Sequence, residues 1–96
     1  MISLKELHDA TLTGLEVDWA SGELRLSFKV SIRELTKVRL LAHGLTLLTC
    51  PRGFPWGRSA SVNSVAVEQR EKTMRLAVEM QSGDLIEASV EDVAIE

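Results

Sequence analysis

Polar and apolar residues alternate strictly from Glu23 to Val30, and this period of two constrains the fold more than any other feature of the sequence. Successive side chains of a β-strand point to opposite faces, so one face of such a strand is apolar and the other is polar. The segment from Leu15 to Trp19 alternates in the same way. Both segments predict amphipathic strands with one face on a core and the other in water.

The residues between these segments, 20–22, predict a hairpin. A two-residue loop at Ser21 and Gly22, or a four-residue loop in the same register, would place the apolar side chains of both strands on one face. The predicted pairs are Trp19 with Leu24, Val17 with Leu26, Leu15 with Phe28 and Asp18 with Arg25.

A second hairpin is predicted around Gly83, because apolar residues alternate with polar ones on both sides of it. The predicted pairs are Met80 with Ile86, Val78 with Ala88, Leu76 with Val90 and Arg75 with Glu91. In this register Glu79 faces Glu87. Like charges repel across a strand pair, so we expect a nearby cation or splayed side chains there.

The middle of the chain is rich in residues that favour strands, but its alternation changes phase at Gly44. One phase contains Val38, Leu40 and Ala42, and the other contains Leu45 and Leu47. A glycine at such a point often marks a bulge or a break. We therefore expect either one bent strand or two strands broken at His43 and Gly44. Phase changes near Gly14 and after Val62 predict similar irregularities.

Strand patterns at a spacing of roughly ten residues, with turn signals between them, predict a mainly β fold in a single domain, 1–96. We expect an antiparallel meander, a sandwich or a small open barrel of about six strands. Ser3 and Glu6 have the spacing of a capping box, which predicts a short helical turn from Leu4 to His8.

Composition restricts the class of function. The 96 residues carry a formal net charge of −3, which argues against a nucleic-acid partner. The single cysteine excludes an internal disulfide. No apolar run reaches the ~18 residues that span a bilayer, and 1–5 does not resemble a signal peptide, so we expect a cytoplasmic protein without membrane association.

The residues that carry reactive chemistry do not follow a catalytic or metal-binding pattern. His8 and Asp9 are adjacent, but no ligand spacing links them to His43 or Cys50, so we predict no metal and no cofactor. We interpret Asp9 as a cap that ends the first turn. We interpret Cys50 as a small buried apolar residue rather than a nucleophile.

Four carboxylates near the C-terminus raise the question of a glycosidase pair. They are Glu79, Glu87, Glu91 and Asp92. Alternating, solvent-facing charge on a two-stranded ribbon accounts for them without a further assumption. We predict no catalytic residues and no enzyme activity.

The segment 50–59 is the most unusual stretch, since it contains both prolines of the chain. Proline fixes φ and removes a backbone donor, which predicts a loop. One interpretation is a stiff loop that presents aromatic and arginine side chains to a protein partner. The other is that the aromatic rings fold back and cap the open end of the sheet. The predicted partner-binding residues are Arg52, Phe54, Trp56 and Arg58.

Two short stretches carry a resemblance to known proteins. Residues 7–10 with 15–18, and residues 54–59 with Val62 and Asn63, resemble a group of small uncharacterised bacterial domains. Some members of that group resemble immunity proteins of polymorphic toxin systems, which bind and neutralise a toxin enzyme. The resemblance implies a β-rich domain without catalytic residues.

Together these patterns predict a non-enzymatic protein-binding module, with immunity-type function as one form of it. An acidic surface suits a basic partner such as a nuclease. Two alternatives remain. One is a small-molecule-binding barrel with a cavity lined by 50–59, and the other is a structural domain that forms a homodimer through a sheet edge.

Overall fold

Eight strands form two four-stranded antiparallel sheets in a computed structural model that describes residues 4–31, 35–53 and 60–95. A 3-10 helix, Leu4–Leu7, precedes the strands. The strands are β1 (Thr11–Asp18), β2 (Glu23–Ser31), β3 (Leu35–His43), β4 (Leu47–Thr49), β5 (Val62–Gln69), β6 (Met74–Met80), β7 (Leu85–Val90) and β8 (Asp92–Ile95). The mainly β prediction is confirmed, in its sandwich form.

The first sheet has the order β1-β2-β3-β8 and the second has the order β4-β7-β6-β5. The chain runs as a meander through β1, β2 and β3, crosses to the second sheet, and returns to the first sheet for β8. The strand number exceeds the predicted six because the middle segment is divided at Gly44 and because β8, which follows Glu91, was not predicted.

The core lies between the sheets and consists of the apolar halves of the alternating strands. In β2 the side chains of Leu24, Leu26 and Phe28 are almost completely buried, as the period of two predicts. Full burial of such a side chain stabilises the fold by roughly 1.5–3 kcal/mol. The other buried apolar residues include Leu7, Val38, Leu40, Val62, Leu76, Val78, Ile86 and Val90.

The register of the first hairpin differs from the prediction by two residues. Val17 pairs with Leu24 and Leu15 pairs with Leu26, and the loop contains the four residues 19–22. The predicted pairs of Trp19 with Leu24 and of Asp18 with Arg25 are therefore wrong. A shift of two keeps the paired side chains on their predicted faces, so the apolar alternation could not detect it. Trp19, predicted on the inner face, instead lies in the loop.

The second hairpin is shifted in the same direction by the same amount. Val78 pairs with Ile86, and the loop again contains four residues, 81–84. Glu79 lies opposite Leu85 rather than near Glu87 in the ladder, so the predicted repulsion does not arise. The predicted pair of Arg75 with Glu91 is also wrong, since Arg75 lies opposite Ser89.

The middle of the chain forms two strands broken after His43, which confirms one of the two alternatives. Gly44 has a φ of 69° and separates β3 from the short strand β4. The predicted phase of β4 is wrong in part, because Leu48 packs on the core while Leu47 is exposed. Register shifts after Leu12 and after Val62 confirm the other two irregularities.

The predicted N-terminal turn is confirmed for its described part. Leu7 is fully buried, and Leu4 packs against the core. Asp9 has a positive φ of 65°, which stops the helix and turns the chain into β1. The predicted capping residue, Ser3, lies outside the described residues.

Candidate functional site

Three large apolar side chains are exposed in the described part of the chain, and all three line one groove. They are Val17, Trp19 and Leu47, with 40%, 93% and 62% of their surface accessible. The groove has a volume of about 440 Å³. Single exposed apolar side chains are ordinary, whereas a contiguous patch is typical of an interaction site. We call this surface the apolar groove; its other lining residues are Asp18, Gly22, Leu45, Thr46 and Leu48.

The apolar groove follows the seam between the two sheets. Val17 belongs to β1, at the edge of the first sheet, and Leu47 belongs to β4, at the edge of the second. No strand among the described residues lies between them. The groove floor includes Leu45 and Leu48, which pack against the core. The seam is therefore the place where core-type side chains come nearest to an open surface.

The turn that carries Trp19 is held by hydrogen bonds on both sides. The Asp18 carboxylate accepts from the backbone N–H groups of Ala20 at 3.1 Å and Ser21 at 3.2 Å. Gly22 N donates to Asp18 O at 2.9 Å, and Gly22 O accepts from Leu45 N at 2.9 Å. The turn is thus tied to Leu45 in the groove floor, and Trp19 projects from a fixed backbone.

Carboxylates border the groove on the outer side of the first sheet. We call Glu16, Asp18 and Glu23 the acidic rim. Arg25 Nη2 lies 3.8 Å from Glu16, and Arg25 Nε lies 3.2 Å from Glu23. This Nε makes no hydrogen bond, so its contact with Glu23 is an ion pair without hydrogen-bond geometry. Glu16 and Glu23 share one guanidinium, while the Asp18 carboxylate accepts from backbone N–H groups, so the rim keeps an excess of negative charge.

His43 continues the charged surface across β3 to β8. Its Nδ1 lies 2.8 Å from Asp92 Oδ1, and its Nε2 lies 3.3 Å from Glu23 Oε2. The hydrogen bond with Asp92 raises the pKa of His43 above its ordinary value, and the charges of Asp92 and Glu23 act in the same direction. Desolvation lowers the pKa and is second in size to the hydrogen bond with Asp92, but the net change is upward. The two carboxylates contact different ring nitrogens, so this arrangement binds a proton rather than converging on one metal position.

His8 and Asp9 have structural contacts. His8 Nδ1 lies 2.6 Å from the backbone oxygen of Asn63, and the Asp9 carboxylate accepts a hydrogen bond from Gln81. Asp9 ends the first turn, which confirms its interpretation as a local cap. Both side chains tie the N-terminal turn to the second sheet. Across 4–31, 35–53 and 60–95, no three residues of metal-binding type form a cluster.

Cys50 is exposed, so the prediction of a buried apolar role is wrong. It follows β4 directly, where the chain leaves the sheet and has no core position to occupy. Arg52 is also exposed and is followed by Gly53, whose N–H donates to Asp84 at 3.0 Å. The other predicted partner-binding residues, Phe54, Trp56 and Arg58, lie outside the described residues, and their role stays a prediction.

The C-terminal carboxylates contact different partners. Arg75 Nη2 lies 2.8 Å from Glu87, and Asn63 donates a hydrogen bond to Glu79. Asp92 pairs with His43, and Glu91 packs beside Gly44. Glu79 lies in β6, Glu87 lies in β7, and Glu91 and Asp92 lie where the chain passes from β7 to β8. Solvent-facing charge accounts for their positions, as the alternation indicates.

A second cleft lies farther along the seam, between the start of β1 and the end of β4. It has a volume of about 520 Å³ and is open to solvent. Its lining includes Leu12, Leu15, Cys50, Pro51, Arg52, Met80 and Ile86. Neither His8 nor His43 lines it. Residues 50–52, which belong to the segment expected to line the cavity of a small-molecule-binding domain, border this open cleft.

The groove residues Trp19 and Leu47 were not predicted as site residues. The alternation placed Trp19 on the inner face of a strand and Leu47 in phase with Leu45. Two separate signals were available, namely the low polarity of the segment 45–48 and the position of Trp19 next to a predicted turn. These signals do not distinguish an exposed groove from a core.

Comparison with known proteins supports the fold alone. No family model and no curated protein matches the chain. Its structure is similar to the crystal structure of an uncharacterized protein from Neisseria gonorrhoeae, with a TM-score of 0.70 and 14% sequence identity. The similarity covers 93% of this chain and 91% of the other. In the described part of the chain, no helix has the length and apolar character needed to cross a membrane.

Proposed function

We propose that the protein is a non-enzymatic protein-binding module and that the apolar groove is its binding surface. The observation that carries this proposal is the 93% exposure of Trp19 beside Leu47. Tryptophan is enriched among the residues that dominate interface energies, especially where a side chain enters a pocket on the partner. A turn that fixes the Trp19 backbone lowers the conformational entropy lost on binding.

Immunity-type function is the finer form of this proposal. The resemblance of 7–10 with 15–18, and of 54–59 with Val62 and Asn63, to immunity-like bacterial domains favours it, and so does the acidic rim beside the groove. A negative surface attracts a basic enzyme such as a nuclease and accelerates association with it. The expected location is the cytoplasm, where such a target would act. Arg52, Phe54, Trp56 and Arg58 remain predicted as additional partner contacts.

Site-directed photo-crosslinking in the native cell tests the proposal. A benzophenone amino acid at position 47 is expected to capture a discrete protein, and the same group at position 71 is not, because residue 71 lies in a bend on the second sheet. Adding Trp19→Ser to the position-47 protein should remove the product. The same crosslinked product from positions 47 and 71 would contradict a binding role for the groove. A product at position 47 that persists when Trp19→Ser is added would also contradict it.

The open cleft near Cys50 supports a second candidate, a small-molecule-binding domain. Its volume of about 520 Å³ is in the range of ordinary ligand sites. Native mass spectrometry of protein purified from its own cells should then show a bound compound. Leu15→Trp, which fills the cleft, should release that compound, whereas Val17→Trp in the neighbouring groove should not.

A further inference from the structure

We propose that the occupant of the apolar groove is an extended segment of a partner protein that adds to the open edge of β1 as a further strand. The segment carries apolar residues that alternate with lysine or arginine. This inference rests on the proposed function, because it concerns the same groove and names its occupant. Addition of a strand to a sheet edge is an established mode of peptide recognition.

Among the residues that the structure describes, the edge of β1 is covered at its beginning and has no partner strand farther along. Leu12 N donates to Ala60 O at 2.7 Å, and Ala10 O accepts from Val62 N at 2.8 Å. The only bridge on this side is that of Thr11 with Ser61, within the described residues. After the bulge at Gly14, no described strand pairs with this edge. An unpaired edge offers backbone donors and acceptors to another chain.

The alternation of the ladder shows which backbone groups face this open edge. Leu12, Leu15 and Val17 lie opposite Phe28, Leu26 and Leu24, which are successive inward residues of β2. Leu12 directs its N–H away from β2, toward Ala60. Equivalent positions in an antiparallel ladder direct their groups to the same side. The N–H and C=O groups of Leu15 and Val17 therefore face the groove side of β1.

The side chains of β1 specify the sequence of an added strand. Leu15 and Val17 lie on the inner face, where Val17 lines the apolar groove and Leu15 lines the neighbouring cleft. Glu16 and Asp18 lie on the outer face. Directly opposed side chains of neighbouring strands have Cβ atoms about 4.5–5.5 Å apart. Apolar residues of the added strand therefore meet the groove, and its alternate residues meet carboxylates. Lysine or arginine at those positions gives opposite-charge pairs.

The same charges disfavour a second copy of this chain at the edge. In an antiparallel β1–β1 pair centred on this region, Glu16 and Asp18 of one copy would face the same carboxylates of the other. Like charges directly opposite destabilise a strand pair. An acidic edge thus discourages self-association while it attracts a basic strand. It also repels phosphate groups, which argues against nucleic acid and anionic lipid at this position.

Short synthetic peptides test the sequence requirement. Fluorescein-labelled Lys-Val-Lys-Val-Lys-Val, with blocked ends, is titrated with the full chain and followed by fluorescence anisotropy. Two controls have the same length: Lys-Lys-Lys-Val-Val-Val, which lacks alternation, and Glu-Val-Glu-Val-Glu-Val, which reverses the charge. We expect saturable binding of the alternating basic peptide. Binding of Lys-Lys-Lys-Val-Val-Val should be at least tenfold weaker, and the acidic peptide should not bind.

Backbone methylation tests strand addition itself. Successive amides of an extended peptide point to opposite sides, so only one alternate set reaches β1. N-methylation of one set, either at every valine or at every lysine, should abolish binding, and methylation of the other set should leave it. Equal effects of the two methylated peptides would overturn strand addition, because side-chain contacts alone do not distinguish alternate amides.

Charge variants test the role of the acidic rim. Glu16→Gln with Asp18→Asn should weaken binding of the basic peptide about fivefold, the size expected for exposed ion pairs. Asparagine retains the side-chain oxygen that accepts from Ala20 and Ser21. The matched control, Glu6→Gln with Glu71→Gln, removes two exposed charges elsewhere and should change nothing. Equal weakening by both double variants would overturn the specific contact.

The outcomes separate this inference from the proposed function. If the alternating peptide fails to bind while position 47 still captures a protein in a Trp19-dependent way, the strand-addition inference is overturned and the binding module stands. If both fail, both are overturned. Sedimentation gives the remaining outcome. A dimer that Trp19→Ser dissociates would identify a second copy of the chain as the occupant of the groove. It would overturn the inference that a basic segment of a partner binds there.

Discussion

Gly44 and Glu91 lie against each other at the corner where the chain leaves the first sheet for the second. Glu91 N donates to His43 O at 2.7 Å. A Cβ placed on Gly44 would lie only 2.8 Å from the Cβ of Glu91. Before this corner β3 pairs with β8 in the first sheet, and after it β4 pairs with β7 in the second sheet. One antiparallel ribbon therefore bends here and belongs to both sheets. The bend requires a residue without a side chain.

Gly44→Ala should destabilise the protein. The residue has a φ of 69°, which disfavours alanine, and the added methyl group would overlap Glu91. We expect the free energy of unfolding to fall by about 1–3 kcal/mol, measured by urea denaturation. Gly14→Ala is the matched control, since a Cβ there meets its nearest neighbour at 4.0 Å. Equal stability of the two variants would contradict the tight corner.

The faces of the strands could be predicted from the sequence, but the partners across the hairpins could not. Every residue of β2 from Leu24 to Val30 has the predicted orientation. Both hairpin registers are nevertheless shifted by two, because a period of two is unchanged by such a shift. The position of the loop decides the register, and Ser21–Gly22 and Gly83 alone do not indicate that the loops are 19–22 and 81–84.

A double-mutant cycle distinguishes the two registers of the second hairpin. Arg75 Nη2 lies 2.8 Å from Glu87, whereas the alternation paired Arg75 with Glu91. Arg75→Ala and Glu87→Ala should show a coupling of about 0.5 kcal/mol in the free energy of unfolding, since the pair is only partly shielded from solvent. Arg75→Ala with Glu91→Ala should be additive. The reverse result would favour the sequence-based register.

The apolar groove could not be predicted for a different reason. Its residues have the composition of a core, and their exposure results from the gap between β1 and β4. That gap depends on which strands lie at the sheet edges, and strand order is a long-range property that alternation does not encode. The acidic rim was easier to anticipate, because Glu16, Asp18 and Glu23 occupy polar positions of the two alternating segments.

Trp19→Ser should leave stability almost unchanged, although tryptophan is the largest side chain. With 93% of its surface accessible, Trp19 contributes little buried area, so we expect a change within about 0.5 kcal/mol. Leu26→Ala, at a fully buried position, should lower the free energy of unfolding by about 2–5 kcal/mol. Urea denaturation of both variants checks this. A large loss for Trp19→Ser would show that its ring packs on the fold.

Cys50 should react in the folded protein. Its exposure predicts that one thiol per chain is modified by an aromatic disulfide reagent without denaturant, at a rate similar to that in urea. The buried position expected from the sequence predicts instead that the Cys50 thiol is modified only after the protein unfolds. Cys50→Ser gives the zero-thiol reference. Slow modification of native protein, followed by a fast phase in urea, would contradict the exposed position.

His43 should couple pH to stability. Since contacts in the folded protein raise its pKa, the stabilisation is fully present below the unfolded pKa of about 6.5 and is lost as pH rises through the folded pKa. The difference in the free energy of unfolding between the wild-type protein and His43→Gln should therefore favour the wild type more at about pH 5.5 than at about pH 8.5. Urea denaturation at both pH values measures the difference.

The source of the raised pKa can be assigned by titrating the His43 ring in NMR spectra. The hydrogen bond with Asp92, at 2.8 Å, contributes most, and the contact with Glu23, at 3.3 Å, contributes less. Asp92→Asn should therefore lower the pKa of His43 further than Glu23→Gln does. A larger decrease for Glu23→Gln than for Asp92→Asn would show that the ring turns toward Glu23 of β2 in solution. The reason is that the hydrogen bond, which has the larger effect on the pKa, requires direct contact.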